Sequence, residues 1–254
     1  MNEHQKEMIK LFRQLSGKYN LYDVFFDFTK MTAYSISNSF DKIHWEEREE
    51  AYLRIEKKYT EEERTIFHQL FAQLVDAMER SPGDVLGGIY MELEISNKDA
   101  GQFFTPFHVA KLMAEMTFPE KELEIENEGF ITAYDSCIGG GVTLIALAEV
   151  MRSRGYNYQR QLKIICGDID ANVLSMAYVQ FSLLGIDAIC ERRNALTLEE
   201  PSDVWFTPFY ALNRAREAEE KKSNAALEKM KKVIDMLKKN EAPALTKPEQ
   251  LSLF

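Results

Sequence analysis

The sequence predicts an α/β protein, a small parallel sheet flanked by helices and preceded by an all-helical stretch. Three observations lead there. From residue 99 onward, short apolar runs ending in a polar residue alternate with helical patterns. Three consecutive glycines, Gly139-Gly140-Gly141, fall between one such run and the next helix. Residues 1–98, by contrast, carry only helical periodicity.

Residues 1–98 are therefore expected to form a helical N-terminal domain. Its clearest helix is 61–79, where Ile66, Phe67, Leu70, Phe71, Leu74, Val75 and Met78 share one face. Glu61, Glu62 and Glu63 lie in its first turn, where negative charge suits the helix dipole. The next helix is expected to open at Ser81-Pro82-Gly83-Asp84. Ser81 would be its cap, Pro82 would take the first helical position, and Asp84 would complete an approximate capping box. The acidic run Glu46-Glu47-Arg48-Glu49-Glu50 reads as a solvated helix face.

Residues 99–210 form the expected sheet domain. Its strands are Phe130–Tyr134 leading to Asp135, Leu162–Cys166 leading to Asp168, Ala188–Cys190 leading to Asn194, and Val204–Phe206 leading to Thr207. Helices are expected over 106–117, 141–154 and 171–184. In a parallel sheet all four polar residues stand on the carboxyl edge, where ligands bind. Residues 211–240 read as a charged helix with a narrow stripe of Leu227, Met230, Val233, Ile234 and Leu237. Residues 241–254 read as a flexible tail, because Pro243 and Pro248 interrupt regular structure before the closing Gln250-Leu251-Ser252-Leu253-Phe254.

Composition narrows the function. Apolar residues make up 45%, which excludes a wholly disordered chain. Asp plus Glu outnumber Lys plus Arg by 41 to 31, a formal net charge of −10, which argues against gripping nucleic acid by bulk charge. No apolar run is long enough for a membrane helix and no secretory signal is visible, so a cytoplasmic protein is expected. The three cysteines and four histidines are scattered, so no metal site is expected, and the cysteines are read as reduced fillers of apolar gaps.

Three segments carry chemistry. Asp135-Ser136-Cys137-Ile138-Gly139-Gly140-Gly141 is a strand-to-helix turn whose glycines permit close backbone approach to a nucleotide-like ligand. It lacks the Gly-Lys-Ser/Thr of a phosphate loop and the spacing of a dinucleotide fingerprint. In Gly167-Asp168-Ile169-Asp170, Asp168 suits either ribose hydroxyls or a helix cap, and Asp170 suits the cap. In Gly101-Gln102-Phe103-Phe104-Thr105-Pro106, Thr105 is read as a helix cap with Pro106 in the first helical position.

In this order the three segments resemble the adenine-specific DNA methyltransferases, in particular the modification subunits of type I restriction systems. Asp84-Val85-Leu86-Gly87-Gly88-Ile89-Tyr90 resembles the helix that precedes the Thr-Pro element there, and the likeness spans roughly residues 60–210. The resemblance implies a Rossmann-like core that binds S-adenosylmethionine, with a truncated parallel sheet. It places Phe103, Thr105 and Pro106 against the methionine end, and Asp135, Gly139 and Gly141 beneath the cofactor. Asp168 would hold the ribose, Ile169 would pack on the adenine, and Asn194 would face the adenine amine.

The resemblance also implies a catalytic Asn/Asp-Pro-Pro-Tyr/Phe motif, in which a flipped adenine stacks on the aromatic residue. Here Thr207-Pro208-Phe209-Tyr210 stands in its place, so Thr207, Pro208 and Tyr210 inherit the catalytic positions. A Thr hydroxyl lacks the carbonyl oxygen of Asn, and losing one oriented acceptor removes about 3–4 kcal/mol of transition-state stabilisation in comparable sites. The 44 residues after Tyr210 are too few for the strands and target-recognition region of a full enzyme. DNA recognition is then expected from another subunit, with the sheet edge covered by a second copy or a partner. Finally, Gln250-Leu251-Ser252-Leu253-Phe254 resembles the peptide that binds the bacterial sliding clamp: Leu251, Leu253 and Phe254 would insert while Gln250 hydrogen-bonds. Two functions follow from the likeness. One is an adenine methyltransferase that depends on a partner. The other is an inactive module recruited to the clamp, in the setting of a phage or mobile element.

Overall fold

The structure, a computed structural model, describes residues 1–94, 104–197 and 199–240, apart from the side chains of 233–235 and 237–240. Phe103 and the tail residues Gln250, Leu251, Leu253 and Phe254 lie outside the described residues. The helical layer comprises α1 (Glu3–Leu15), α2 (Leu21–Asn38), α3 (Trp45–Glu56), α4 (Glu61–Arg80) and α5 (Val85–Glu92). Capping boxes open two of them: Asn2 with Gln5 on α1, and Thr60 with Glu63 on α4. Asp84, not Ser81, caps α5 by accepting from the Gly87 amide at 3.0 Å, while Ser81 closes α4. The carboxylate is the stronger acceptor, so the helix starts later than expected.

On α4 the buried face is Phe67, Leu70, Leu74, Ala77 and Met78, whereas Phe71 and Val75 are exposed. The expected stripe is therefore wider than the face that packs. A chain of rings runs through this layer: Phe12 on Phe25 at 5.6 Å, Phe25 on Tyr90 at 5.4 Å, and Tyr90 on Phe104 at 4.7 Å. Such aromatic pairs are worth about 0.5–1.5 kcal/mol each beyond their buried area.

The sheet region follows as α6 (Phe107–Glu128), β1 (Ile131–Asp135), α7 (Val142–Ser153), α8 (Tyr158–Gln161), β2 (Leu162–Asp168), α9 (Ala171–Leu184), β3 (Asp187–Arg192), β4 (Asp203–Phe206) and α10 (Pro208–Asn240). α6 runs through Pro119 to a left-handed Gly129 cap and so outlasts the expected 106–117. Pro106 is its N-cap, without a side-chain cap bond, so Thr105 stands one residue before the position expected of it.

The strand order is β1-β2-β3-β4. β1, β2 and β3 are parallel, in register Asp135↔Cys166↔Cys190. β4 is antiparallel to β3, with Phe206 opposite Ile189 and Asp203 opposite Arg192. This corrects the expectation of a wholly parallel sheet. A parallel neighbour needs a crossover of a dozen or more residues, usually carrying a helix, and the connection 193–202 is too short for one.

Residues Met1–Asn213 form one compact unit, and the described residues from Arg214 onward belong to a second. In the first unit α2 lies on α9, where Thr29 Oγ1 meets Ser175 Oγ at 3.1 Å inside the core. Arg48, only 4% exposed, lies 4.0 Å over the Trp205 ring and donates to the Val204 carbonyl and the Ser37 hydroxyl. It also pairs with Asp41 at 2.7 Å. The helices thus share a core with the sheet. Cys166 and Cys190 are buried on adjacent strands, while Cys137 is exposed beside the glycine turn.

Among the described residues no strand pairs with the outer edge of β1. Tyr134 and Ile165, neighbours on one face of the sheet, are exposed. α6 buries Ala110, Ala114, Phe118 and Ile125 but exposes Val109, Leu112, Met113, Met116 and Leu123. Among the described residues no helix is long and apolar enough to cross a membrane.

Candidate cofactor site

The carboxyl ends of β1 and β2 bring the two acidic signals to one place. Asp135 closes β1 and spends its carboxylate locally, accepting from the Cys137 amide at 3.0 Å and the Thr143 hydroxyl at 2.8 Å. It thereby ties the strand end to both limbs of the glycine turn. Asp168 closes β2; one oxygen accepts from the Gly139 amide at 2.9 Å and the other from the Asp170 amide at 3.0 Å. A carboxylate offers about four lone-pair sites, so two remain for a ligand's hydroxyls. Asp170 caps α9 through the Asn172 amide at 2.8 Å, as expected. Asp168 is thus not the cap of that helix.

The turn itself needs glycine. Gly139 and Gly141 have φ of 54° and 95°, in the left-handed region where a side chain is strained. A Cβ on Gly141 would stand 3.0 Å from the Phe181 ring, and one on Gly140 would stand 2.5 Å from Met176 Cε. Both clashes are with α9, so these two glycines let the turn settle on that helix. A Cβ on Gly139 would instead meet Phe104 at an ordinary 3.6 Å. Phe104 rests between the turn and Tyr90, a role the sequence reading did not assign it. Thr105 and Pro106 follow it directly into α6.

Ile169 and Asn194 line one cavity of about 320 Å³ with Arg192, Arg193, Glu199, Glu200 and Ser202. Ile169 presents its side chain to solvent, 63% exposed, directly after Asp168. Asn194 Oδ1 accepts from the Leu196 amide at 2.9 Å, which leaves its amide nitrogen to face a ligand. A hydroxyl-accepting carboxylate, a bare apolar side chain and an amide beside a glycine turn together match the polar and apolar halves of a nucleoside.

The residues in the catalytic positions are elsewhere. Because β4 runs antiparallel, its end returns to the amino end of β3. Thr207 is fully buried there: its hydroxyl donates to the Ile186 carbonyl at 2.7 Å, and its amide donates to the Ala188 carbonyl at 3.0 Å. Level with Ala188, it stands four residues, about 13 Å at about 3.3 Å per residue, from Arg192 at the carboxyl end of β3. Pro208 begins α10, and Tyr210 stacks on Phe206 with ring centroids 4.8 Å apart. The expectation that Thr207, Pro208 and Tyr210 share an edge with Asp135 and Asp168 is corrected. The reversal of β4 carries them to the far end of the sheet.

One further residue reaches the turn, Gln180, and a second, Asp84, holds it; neither carries a sequence motif in that role. Gln180 on α9 donates to the Gly140 carbonyl at 2.8 Å and to Asp84 Oδ1 at 2.9 Å. Burial raises the Asp84 carboxyl above its ordinary range, against the lowering effect of hydrogen bonds from Gln180 and the Gly87 amide.

Fold and site together define an α/β protein with a glycine turn and two acidic strand ends at the carboxyl edge of its sheet. Residues 82–239 match the family model of the N-6 DNA methylases, more than half of the chain. The chain belongs to that family, and S-adenosylmethionine is the cofactor this membership implies. A search of the curated proteins gives no match. Among solved structures, the chain is similar to the methyltransferase subunit of a type I restriction-modification system from Streptococcus thermophilus. The identity is 14% and the TM-score 0.44, over 79% of this chain and 59% of that one. It is also similar to a protein assigned to the class I S-adenosylmethionine-dependent methyltransferases from Listeria monocytogenes, at 11% identity and a TM-score of 0.39, over 75% of this chain and 53% of that one. The chain thus spans little more than half the length of either.

Proposed function

We propose that this protein is a cofactor-binding subunit of a DNA adenine methyltransferase, which needs a partner chain for methyl transfer and for DNA recognition. The observation that carries the reading is Asp168, anchored to the Gly139 amide with lone pairs to spare, beside the cavity of Ile169 and Asn194. When bound, S-adenosylmethionine supplies the methyl group. Asp168 would hold its ribose, Ile169 and Asn194 its adenine, and the turn with Phe104, Thr105 and Pro106 its methionine end. Phe103 belongs to the same proposal from the sequence alone.

The partner enters on two grounds. Thr207, Pro208 and Tyr210 lie at the other end of the sheet, so the aromatic platform for a flipped adenine must come from another chain or segment. The edge of β1, unpaired among the described residues, and the exposed apolar side chains of α6 offer the surface on which that chain would dock. Recruitment to the bacterial sliding clamp through Gln250, Leu251, Leu253 and Phe254 remains a separate proposal, resting on the sequence of the tail.

Isothermal titration of the full chain with S-adenosylmethionine tests the first claim. Saturable binding is expected, and no heat at millimolar cofactor would refute it. Deleting residues 250–254 should abolish co-elution with the clamp; undiminished co-elution would refute recruitment through the tail.

A further inference from the structure

We infer that Gln180 is a positioning residue for the glycine turn and, through Asp84, makes the start of α5 a supporting part of the cofactor site. The inference rests on the cofactor reading above for its functional meaning. Its structural part stands on the hydrogen bonds alone.

Gln180 is fully buried. Its Oε1 accepts from the Leu86 amide at 2.9 Å, and its Nε2 donates both to Asp84 Oδ1 and to the Gly140 carbonyl. Both donors and the acceptor of the amide are therefore used, in three directions. The partners come from regions 94, 96 and 40 residues away in sequence. No other side chain of this size supplies two donors and an acceptor in one plane except Asn, which is a methylene too short. An apolar residue would suit a core position between α5 and α9 as well by burial alone. The amide specifies where the turn sits.

The turn is then gripped from two sides. Asp168 on β2 holds the Gly139 amide, and Gln180 on α9 holds the Gly140 carbonyl. Met176, one turn earlier on α9, packs against the bare Cα of Gly140. The carbonyl of Gly140 is thereby drawn inward, away from the ligand side. Asp84 fixes Gln180 in turn, since the same oxygen accepts from the Gly87 amide and from Nε2. A displacement of α5 would reach the glycine turn through one side chain.

Two variants of the full chain test this. Gln180→Met keeps the bulk and removes every hydrogen bond. The double variant Asp84→Asn with Gln180→Glu rebuilds the link between positions 84 and 180 and still accepts from the Leu86 amide, but leaves the Gly140 carbonyl without a donor. Amide hydrogen exchange of residues 139–145 without cofactor, the melting midpoint, and titration with S-adenosylmethionine are measured together. Gln180→Met should exchange about tenfold faster in that segment, with α1 and α4 unchanged, and bind cofactor about tenfold more weakly. The double variant should regain the melting midpoint relative to Gln180→Glu alone, yet keep the fast exchange and weak binding. Exchange within twofold of the parent in Gln180→Met, or full binding by the double variant, overturns the inference. If the parent binds no cofactor, the cofactor reading fails while exchange still decides the positioning role. If Gln180→Met does not fold, the double variant carries the test.

Discussion

Thr207→Val removes one hydroxyl and keeps the side-chain shape, so it separates a structural role from a catalytic one. The hydroxyl sits in the core, donating to the Ile186 carbonyl at 2.7 Å and accepting from the Ala188 amide at 3.0 Å and the Tyr210 amide at 3.3 Å. Valine leaves two buried main-chain groups of the β3 start short of a partner, at about 1–3 kcal/mol each. It also removes a cap from α10, worth about 1 kcal/mol. Contributions that share one atom do not add in full, so a loss of about 3 kcal/mol is expected. In a domain of this size each kcal/mol moves the melting midpoint by about 2–4 °C, which gives a drop of about 6–12 °C. Thr207→Ser retains the hydroxyl and should stay within about 1–2 kcal/mol of the parent. Circular dichroism melts of the three proteins, with cofactor titration at a temperature where all are folded, provide the assay. Cofactor affinity should be unchanged. An unaltered melt combined with abolished methyl transfer would show that the hydroxyl serves the reaction, and the placement of β4 would be refuted.

Gly141→Ala places a Cβ at a φ of 95° and 3.0 Å from Phe181, which should cost about 2–5 kcal/mol from strain and overpacking together and weaken cofactor binding, read by melting and titration. Arg48→Met leaves Asp41 without its buried cation and removes the contact with Trp205; a loss of about 3–5 kcal/mol is expected in urea unfolding. Burial pushes the Asp41 carboxyl up, but hydrogen bonds from His44 and the Ile43 and His44 amides, with Arg48, bring it below its ordinary 3.8. A lowered carboxyl stabilises the fold above that range, so its contribution should vanish as pH falls below about 3.8, a limb of the acid-unfolding curve that Asp41→Asn should lack. Leu112→Glu with Met116→Glu alters only exposed positions of α6; stability should move by no more than about 0.5 kcal/mol per site, while methyl transfer reconstituted with a partner should be lost.

Much of this architecture was legible in the residues. The ends of α7 and α9 fall within a residue of their expected positions, because glycine turns and the Asp170 cap mark where those helices start. Asp168 stands apart from the cap for a reason periodicity can anticipate: it is the last residue of a strand, and Asp170 is two residues on. What could not be read is direction and partnership. The run Asp203–Phe206 has the same texture whether it pairs parallel or antiparallel, and only the length of 193–202 hints at its reversal. Arg48 lies among four glutamates and looks solvated, yet its guanidinium lies over the ring of Trp205, more than 150 residues away. Gln180 sits in an apolar helix with nothing local to mark it, because all of its partners are distant in sequence.

Among the described residues the sheet has two open edges, and only β1 offers a parallel one. The other flank ends at β4, whose reversed run interrupts the parallel series. A newcomer strand aligned with β1 would bring its own carboxyl terminus to the same rim as Asp135 and Asp168, within reach of whatever nucleoside they hold. The geometry of addition alone would then decide where a second polypeptide presents its chemistry. Purified without such a companion, the chain offers that edge to its own copies, and its solubility should rise as the companion is titrated in.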